Sequence, residues 1–471
     1  MNRKNLLSAN LFCAACLLAV NVHAEIKLPA IFSNNMVLQQ QTDAAIWGTA
    51  KELSTVKLVT SWNNKTYVTK AAADGRWKLK MATPQAGGPY TITISDGKAL
   101  KLENILIGEV WVCSGQSNME MPLKGYTNQP VIGSLEATVN APALTLRLFS
   151  TAKATSVTPL EDCKGRWDVC NSETASEFSA TAFFFGRMLN KILNVPIGLI
   201  HSSWGGTAIQ PWMSEEACKE FDFIKDTATT KNPPKAPSVL FNAMINPFVG
   251  YGIRGAIWYQ GESNRPEPEN YELMLPGLIK DWRRKWQLGD FPFYYMQIAP
   301  VGKNDALPNS AFLREAQLKV SGIVPNVGMA CIMDIGEQTN VHPAHKETGS
   351  NRLAYLALSQ TYQVKGISCF SPRMKAVTIK NDTVKITFSD APNGLTSFGK
   401  TLSAFELAGA DKVFHTATAV ITRDGVLVKS AQVPVPVAVR YAFKSFVVGD
   451  LFGVNGLPVS SFRSDNWERE K

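Results

Sequence analysis

The chain has 471 residues, 45% of them hydrophobic and 18% charged. That length exceeds one compact core of roughly 100–200 residues, and the composition excludes a disordered or collagen-like chain. Against 39 Asp and Glu stand 48 Lys and Arg, a formal charge of +9, but the basic residues are scattered rather than concentrated on one element, which argues against a nucleic-acid partner.

Arg3 and Lys4 precede an apolar stretch, residues 11–20, that ends shortly before Val22-His23-Ala24. This is the layout of a secretory signal peptide, residues 1–24, cleaved after Ala24 and directing export to the periplasm or the extracellular space. Cys16 offers lipid attachment as an alternative, although Cys13-Ala14-Ala15 is a poor context for it. No later apolar run is long enough for a membrane span. Among the remaining cysteines, Cys163 and Cys170 flank Gly165 and Trp167 and are the expected local bridge. Cys113 and Cys331 sit in apolar runs that suit buried free thiols.

Residues 25–104 have period two. Trp77, Leu79 and Met81 alternate with lysines after the Asp74-Gly75 turn, and Tyr90, Ile92 and Ile94 alternate with threonines before Asp96-Gly97. Short strands with tight glycine turns predict a small β-sandwich. At Ile105 continuous apolar runs begin to alternate with helical segments. Strands are predicted at 110–113, 196–200, 253–259, 293–298 and 327–333, with helices at 178–189, 271–286, 311–320 and 346–358. Such alternation means a parallel sheet covered on both faces, so residues 105–368 read as an α/β domain. From 369 to 471 alternation returns, with Val384, Ile386 and Phe388 spaced by two and Val426-Leu427-Val428 after Asp424-Gly425, predicting a C-terminal β region.

Ligands of open parallel sheets sit outside the carboxyl ends of the strands. The first such end reads Gly115-Gln116-Ser117-Asn118, a serine on a strand-to-helix turn whose hydroxyl can project into a cleft and whose N–H can face a developing oxyanion. Met119 replaces the second glycine of the G-x-S-x-G elbow, so this is not that motif. The second end offers Gly205-Gly206, where backbone N–H groups can approach a substrate oxygen. The third reads Gly261-Glu262-Ser263-Asn264, with Asn264 as a further donor and Ser263 as a rival nucleophile. Of His201, His342, His345 and His415, His342 follows the 327–333 strand and is placed to act as general base and acid for Ser117. His342 and His345 with Asp334 and Glu337 could instead form a metal cluster, but Pro343 spoils helical presentation and no H-E-x-x-H occurs. Trp111, Trp204, Trp212, Trp258 and Tyr259 lie near these strand ends and divide between core packing and sugar stacking.

Taken together, Gly115-Gln116-Ser117-Asn118-Met119-Glu120, Ser203-Trp204-Gly205-Gly206-Thr207, Tyr259-Gln260-Gly261-Glu262-Ser263-Asn264 and His342-Pro343 resemble the sialate O-acetylesterase family of SGNH hydrolases. Asn35-Met36-Val37-Leu38-Gln39 and Gly456-Leu457-Pro458 resemble its termini. The resemblance implies a flavodoxin-like α/β core that removes acetyl groups from sugar hydroxyls without metal or organic cofactor. Its substrate would be O-acetylated sialic acid, or alternatively acetylxylan or another plant glycan. Ser117 would be nucleophile and His342 base. The Ser117 N–H, Gly205 or Gly206, and Asn264 would be oxyanion donors, each worth about 3 kcal/mol of barrier, and Gln116, Trp204, Gln260 and Glu262 would line the substrate. Relatives commonly carry an acid two residues before the histidine; here it is Asn340. Asp334 is the first substitute as third triad member, Glu337 the second, and a backbone carbonyl the third. The missing acid also leaves room for a carbohydrate-binding protein on a degenerate hydrolase core. Oligomeric state is open.

Overall fold

A computed structural model of the chain describes residues 25–225, 233–302 and 309–468, and the predicted leader lies outside them. Seven strands open the chain: β1 (Val37–Gln39), β2 (Asp43–Thr49), β3 (Thr55–Thr60), β4 (Thr66–Lys70), β5 (Arg76–Ala82), β6 (Gly87–Ser95) and β7 (Ala99–Gly115). Alternation is realised in β5, which buries Trp77, Leu79 and Met81 and pairs antiparallel with β2. β3 pairs with β4 and β6, and β6 with β7.

β7 runs for 17 residues with a bulge at Asn104, whose φ is +56°, and every residue from Ile105 onward is buried. The change of texture at Ile105 is therefore a change of burial along one strand, from a face half open to water to a strand covered on both sides. Beyond it come β8 (Leu146–Thr151), β9 (Gly165–Val169), β10 (Ile197–Ser203), β11 (Gly255–Tyr259), β12 (Phe293–Met296) and β13 (Val327–Ala330). The order across the sheet is β13-β12-β11-β7-β10-β8-β9, parallel except for β9.

Numbered in chain order, the parallel strands run 2-3-1-4-5-6. The five strands expected from the sequence, β7, β10, β11, β12 and β13, stand among themselves in the order 2-1-3-4-5, the flavodoxin-like order; β8 and the antiparallel β9 extend the sheet outside β10 as an edge the sequence reading did not include. Both faces of the sheet are packed. Trp111 and Cys113 of β7 join a cluster with Phe183, Phe184 and Phe185 of the Ala180–Leu193 helix and Leu353 of the Lys346–Leu356 helix. Val110 and Val112 join another with Tyr271, Leu278 and Trp282 of the Pro268–Trp286 helix.

C-terminal strands Arg373–Lys380, Thr383–Ser389, Gly425–Lys429 and Thr418–Thr422 form a separate antiparallel sheet, with Val384, Ile386, Val426 and Val428 buried. Buried Arg314 of the Asn309–Val320 helix bonds Ser461 and the Lys444 carbonyl, joining this region to the core. The expected Cys163–Cys170 bridge is not formed, and both thiols are free. β9 lies between them, and a strand rising about 3.3 Å per residue holds its ends far beyond the roughly 4.4–6.8 Å Cα spacing of a disulfide.

At the carboxyl end of β7, Gly115 pairs with Ser203 on one side and Tyr259 on the other. Its φ is +144°, and a Cβ there would stand 2.1 Å from the Tyr259 carbonyl oxygen. Gly115→Ala must push β11 away and lose the bond from Gln116 N–H to the same oxygen. We expect a loss of at least about 2 kcal/mol, read from the denaturant midpoint. An unchanged midpoint would refute the close approach.

Candidate active site

Because Ser203, Gly115 and Tyr259 are in register, the three polar strand ends meet at one edge. Ser117 opens the one-turn helix Ser117–Glu120, half-buried, its hydroxyl bonded to no described residue. Gly205 lies against it, since a Cβ there would stand 3.1 Å from the Ser117 Cβ. The Gly205 N–H donates to Glu120 Oε2, and Glu120 Oε1 meets Lys153 Nζ at 2.6 Å. Lys153 in turn covers the half-buried Trp204 ring, 5.5 Å from its centroid. The Ser117 and Gly206 N–H groups bond no other described residue, so two donors remain open at this sheet edge.

Beneath this surface lies a buried carboxamide cluster. Gln260 Nε2 donates to Gln116 Oε1 (3.1 Å), Asn264 Oδ1 (2.8 Å) and the Thr207 carbonyl (3.2 Å). Gln116 Oε1 also accepts from the Gly261 and Ser263 N–H groups. Asn264 accepts from Ile209 N–H and donates to Gln210 Oε1 at 3.3 Å. Gln116, Gln260 and Asn264 thus face one another and brace Thr207 and Ile209, just past the Gly205-Gly206 turn. Trp111, Trp212, Trp258 and Tyr259 are also buried, which leaves Trp204 as the aromatic at the surface.

Asn118 joins the serine turn to the histidine loop. Its Nδ2 donates to Glu262 Oε1 at 2.6 Å and to the Val341 carbonyl at 2.9 Å, while its Oδ1 accepts from buried Lys346 Nζ. Burial drives the Lys346 amine down to about 7 against the charges of Glu262 and Glu337, and it raises the Glu262 carboxyl. The next residue, His342, has a buried Nε2 that meets no described partner. Its Nδ1 lies 2.6 Å from Gln129 Oε1, and Tyr126 packs edge-on at 5.6 Å. Burial, reinforced by Lys346 and opposed by Glu120, lowers the imidazole to about 4.

The carboxylates expected behind His342 are engaged elsewhere. Asp334 forms a two-pronged pair with Arg352, both bonds 2.7 Å, and Glu337 accepts from the Ala344 N–H and Asn340. Asn340 Oδ1 accepts from the His342 backbone N–H, not from the ring. Gln129, Tyr126, Asn118 and Lys346 were not among the expected site residues. Glu120 and Asn118 were visible only as members of the serine motif, and the other three carry no sequence signal.

A half-buried serine with open backbone donors at the same sheet edge, and with an imidazole one residue from its anchored loop, has the makings of an ester hydrolase. Residues 107–362 match the model of the carbohydrate esterase family described as sialic acid-specific acetylesterase. Sialate O-acetylesterases of Pongo abelii and Homo sapiens are each 30% identical over 385 residues, spanning 74% of this chain and 73% of theirs. The Mus musculus sialate O-acetylesterase is 28% identical over 431 residues, 77% of this chain and 79% of its own. A crystal structure of a carbohydrate acetylesterase from Xanthomonas citri aligns with a TM-score of 0.87 at 32% identity, covering 94% of this chain and all of that one. The chain belongs to the sialic acid-specific acetylesterase family and is a carboxylic ester hydrolase.

Two measurements probe the geometry. A protonated His342 cannot accept a proton, so an imidazole held near 4 keeps its base form well below neutrality. The acid limb of kcat/KM should lie below about pH 5, whereas a limb at the ordinary histidine value of about 6.5 would contradict this environment. Asp334→Asn should cost about 3 kcal/mol by stranding the Arg352 guanidinium, while kcat stays within about threefold. A collapse of kcat in a folded Asp334→Asn variant would restore Asp334 to the reaction.

Proposed function

We propose that this esterase removes O-acetyl groups from sugars, with 9-O-acetylated sialic acid as the leading substrate and acetylated xylan as the alternative. Ser117 Oγ attacks the acetyl carbonyl carbon while His342 Nε2 takes the hydroxyl proton. Charge gathering on the carbonyl oxygen is met by the Ser117 and Gly206 N–H groups, joined by Gly205 when Glu120 releases it. As the bond to the sugar oxygen breaks, His342 returns the proton to that oxygen. Water then attacks the acetyl-serine, gives a proton to His342, and acetate leaves with Ser117 restored. Asn264, Gln116 and Gln260 brace Thr207 and Ile209 just past the donor turn, Glu262 anchors Asn118, and Trp204 offers a ring face to the sugar.

The observation that carries this reading is the register Ser203–Gly115–Tyr259, with the His342 loop tied to the serine turn through Asn118. Its working frame is a division into 25–104, 105–368 and 369–471 with an SGNH-type centre, and export directed by residues 1–24. Acetate release is measured with 9-O-acetylated sialic acid and acetylated xylan side by side. The sialate should turn over faster, and Ser117→Ala should lower kcat on the order of a thousandfold or more. Unchanged turnover in Ser117→Ala would reject the nucleophile, and glycan binding with no acetate release would reject the esterase assignment of this site.

A further inference from the structure

A histidine that acts through Nε2 needs its proton on Nδ1, and something must hold it there. Each carboxylate of its own loop is committed elsewhere, Asp334 to Arg352 and Glu337 to the Ala344 N–H and Asn340. Glu120, on the serine turn, is shared between Lys153 and the Gly205 N–H. From the Lys346–Leu356 helix comes a positive group, Lys346, and His345 points to water. What meets Nδ1 is Gln129 Oε1, at 2.6 Å.

The turn that carries Gln129 is built to place it. Tyr126 and Gln129 exchange both backbone hydrogen bonds, each 3.0 Å, with Asn128 between them at a φ of 60°. The same turn sets the Tyr126 ring edge-on against the imidazole. Glutamine's Oε1 only accepts, so the ring nitrogen facing it must donate, and the lone pair is left on Nε2.

We infer that Gln129 is the positioning residue of this active site, a neutral carboxamide standing where a triad carboxylate would hold His342. This rests on the reading of Ser117 and His342 given above. A carboxamide fixes the tautomer as a carboxylate does, but it brings only a dipole to the imidazolium formed during reaction. The site therefore works with a weakly basic histidine, shaped by burial, by Lys346 and Glu120, and by the lack of a negative charge behind the ring.

Three measurements test the assignment. Long-range 15N–1H spectra of the wild-type protein at neutral pH should show His342 protonated at Nδ1; the Nε2–H tautomer would overturn it, whatever the variants do. Gln129→Leu should lower kcat on the order of 10- to 100-fold with KM within about twofold. Gln129→Glu should move the acid limb of kcat/KM upward by about one pH unit or more, because the new carboxylate stabilises the imidazolium. An unmoved limb in a folded Gln129→Glu protein, or wild-type kcat in Gln129→Leu, would overturn it. Ser117→Ala in the same assay separates the two ideas. Activity surviving there ends the nucleophile reading, whereas a dead Ser117→Ala with unaltered Gln129→Leu ends only the role of Gln129.

Discussion

One buried carboxamide carries much of the geometry of this site. Asn118 has two N–H groups and one carbonyl oxygen, and each is used: for Glu262 after β11, for the Val341 carbonyl before the histidine, and for Lys346 at the head of the following helix. Asn118 is fully buried, so each bond left unmade would cost about 1–3 kcal/mol. The serine turn and the histidine loop, more than 200 residues apart in sequence, are thereby held in one arrangement. Glu262 and Lys346 are both buried, and the carboxamide between them bonds the carboxyl on one side and the amine on the other.

The sheet supplies the other constraint. β7 is central, so the carboxyl ends of β10 and β11 fall on either side of Gly115. Only glycine admits the Tyr259 carbonyl at that distance, and the chain leaves the sheet there at an angle that exposes Ser117. The buried carboxamides then brace Thr207 and Ile209, just past the Gly205-Gly206 turn. The groups of the candidate site come from loops, but the parallel sheet sets their spacing.

Features written as local pattern were legible in the sequence. Alternation marked β5 and the C-terminal strands, unbroken apolar runs marked β7, β11 and β12, and glycine-rich text at strand ends marked Ser117 and the Gly205-Gly206 turn. Features that depend on long-range packing were not. The edge strands β8 and β9 outside β10 were not foreseen, because their residues show no pattern that sets them beside the other strands. Asp334 looked available because Arg352 is 18 residues away on another element. Gln129 lies in an irregular stretch with no periodicity, and only the folded chain brings it to His342. Cys163 and Cys170 were close in sequence, but β9 keeps them apart.

The course of β7 also bears on how the N-terminal strands meet the larger sheet. Its first half is hydrogen-bonded to β6 and its second to β10 and β11. Between them, at Asn104, φ is +56° and the register with β6 slips by one residue, a bulge that bends the strand where its burial changes. The joint between the two parts is therefore a kinked strand rather than a linker, and its angle is written into a single asparagine.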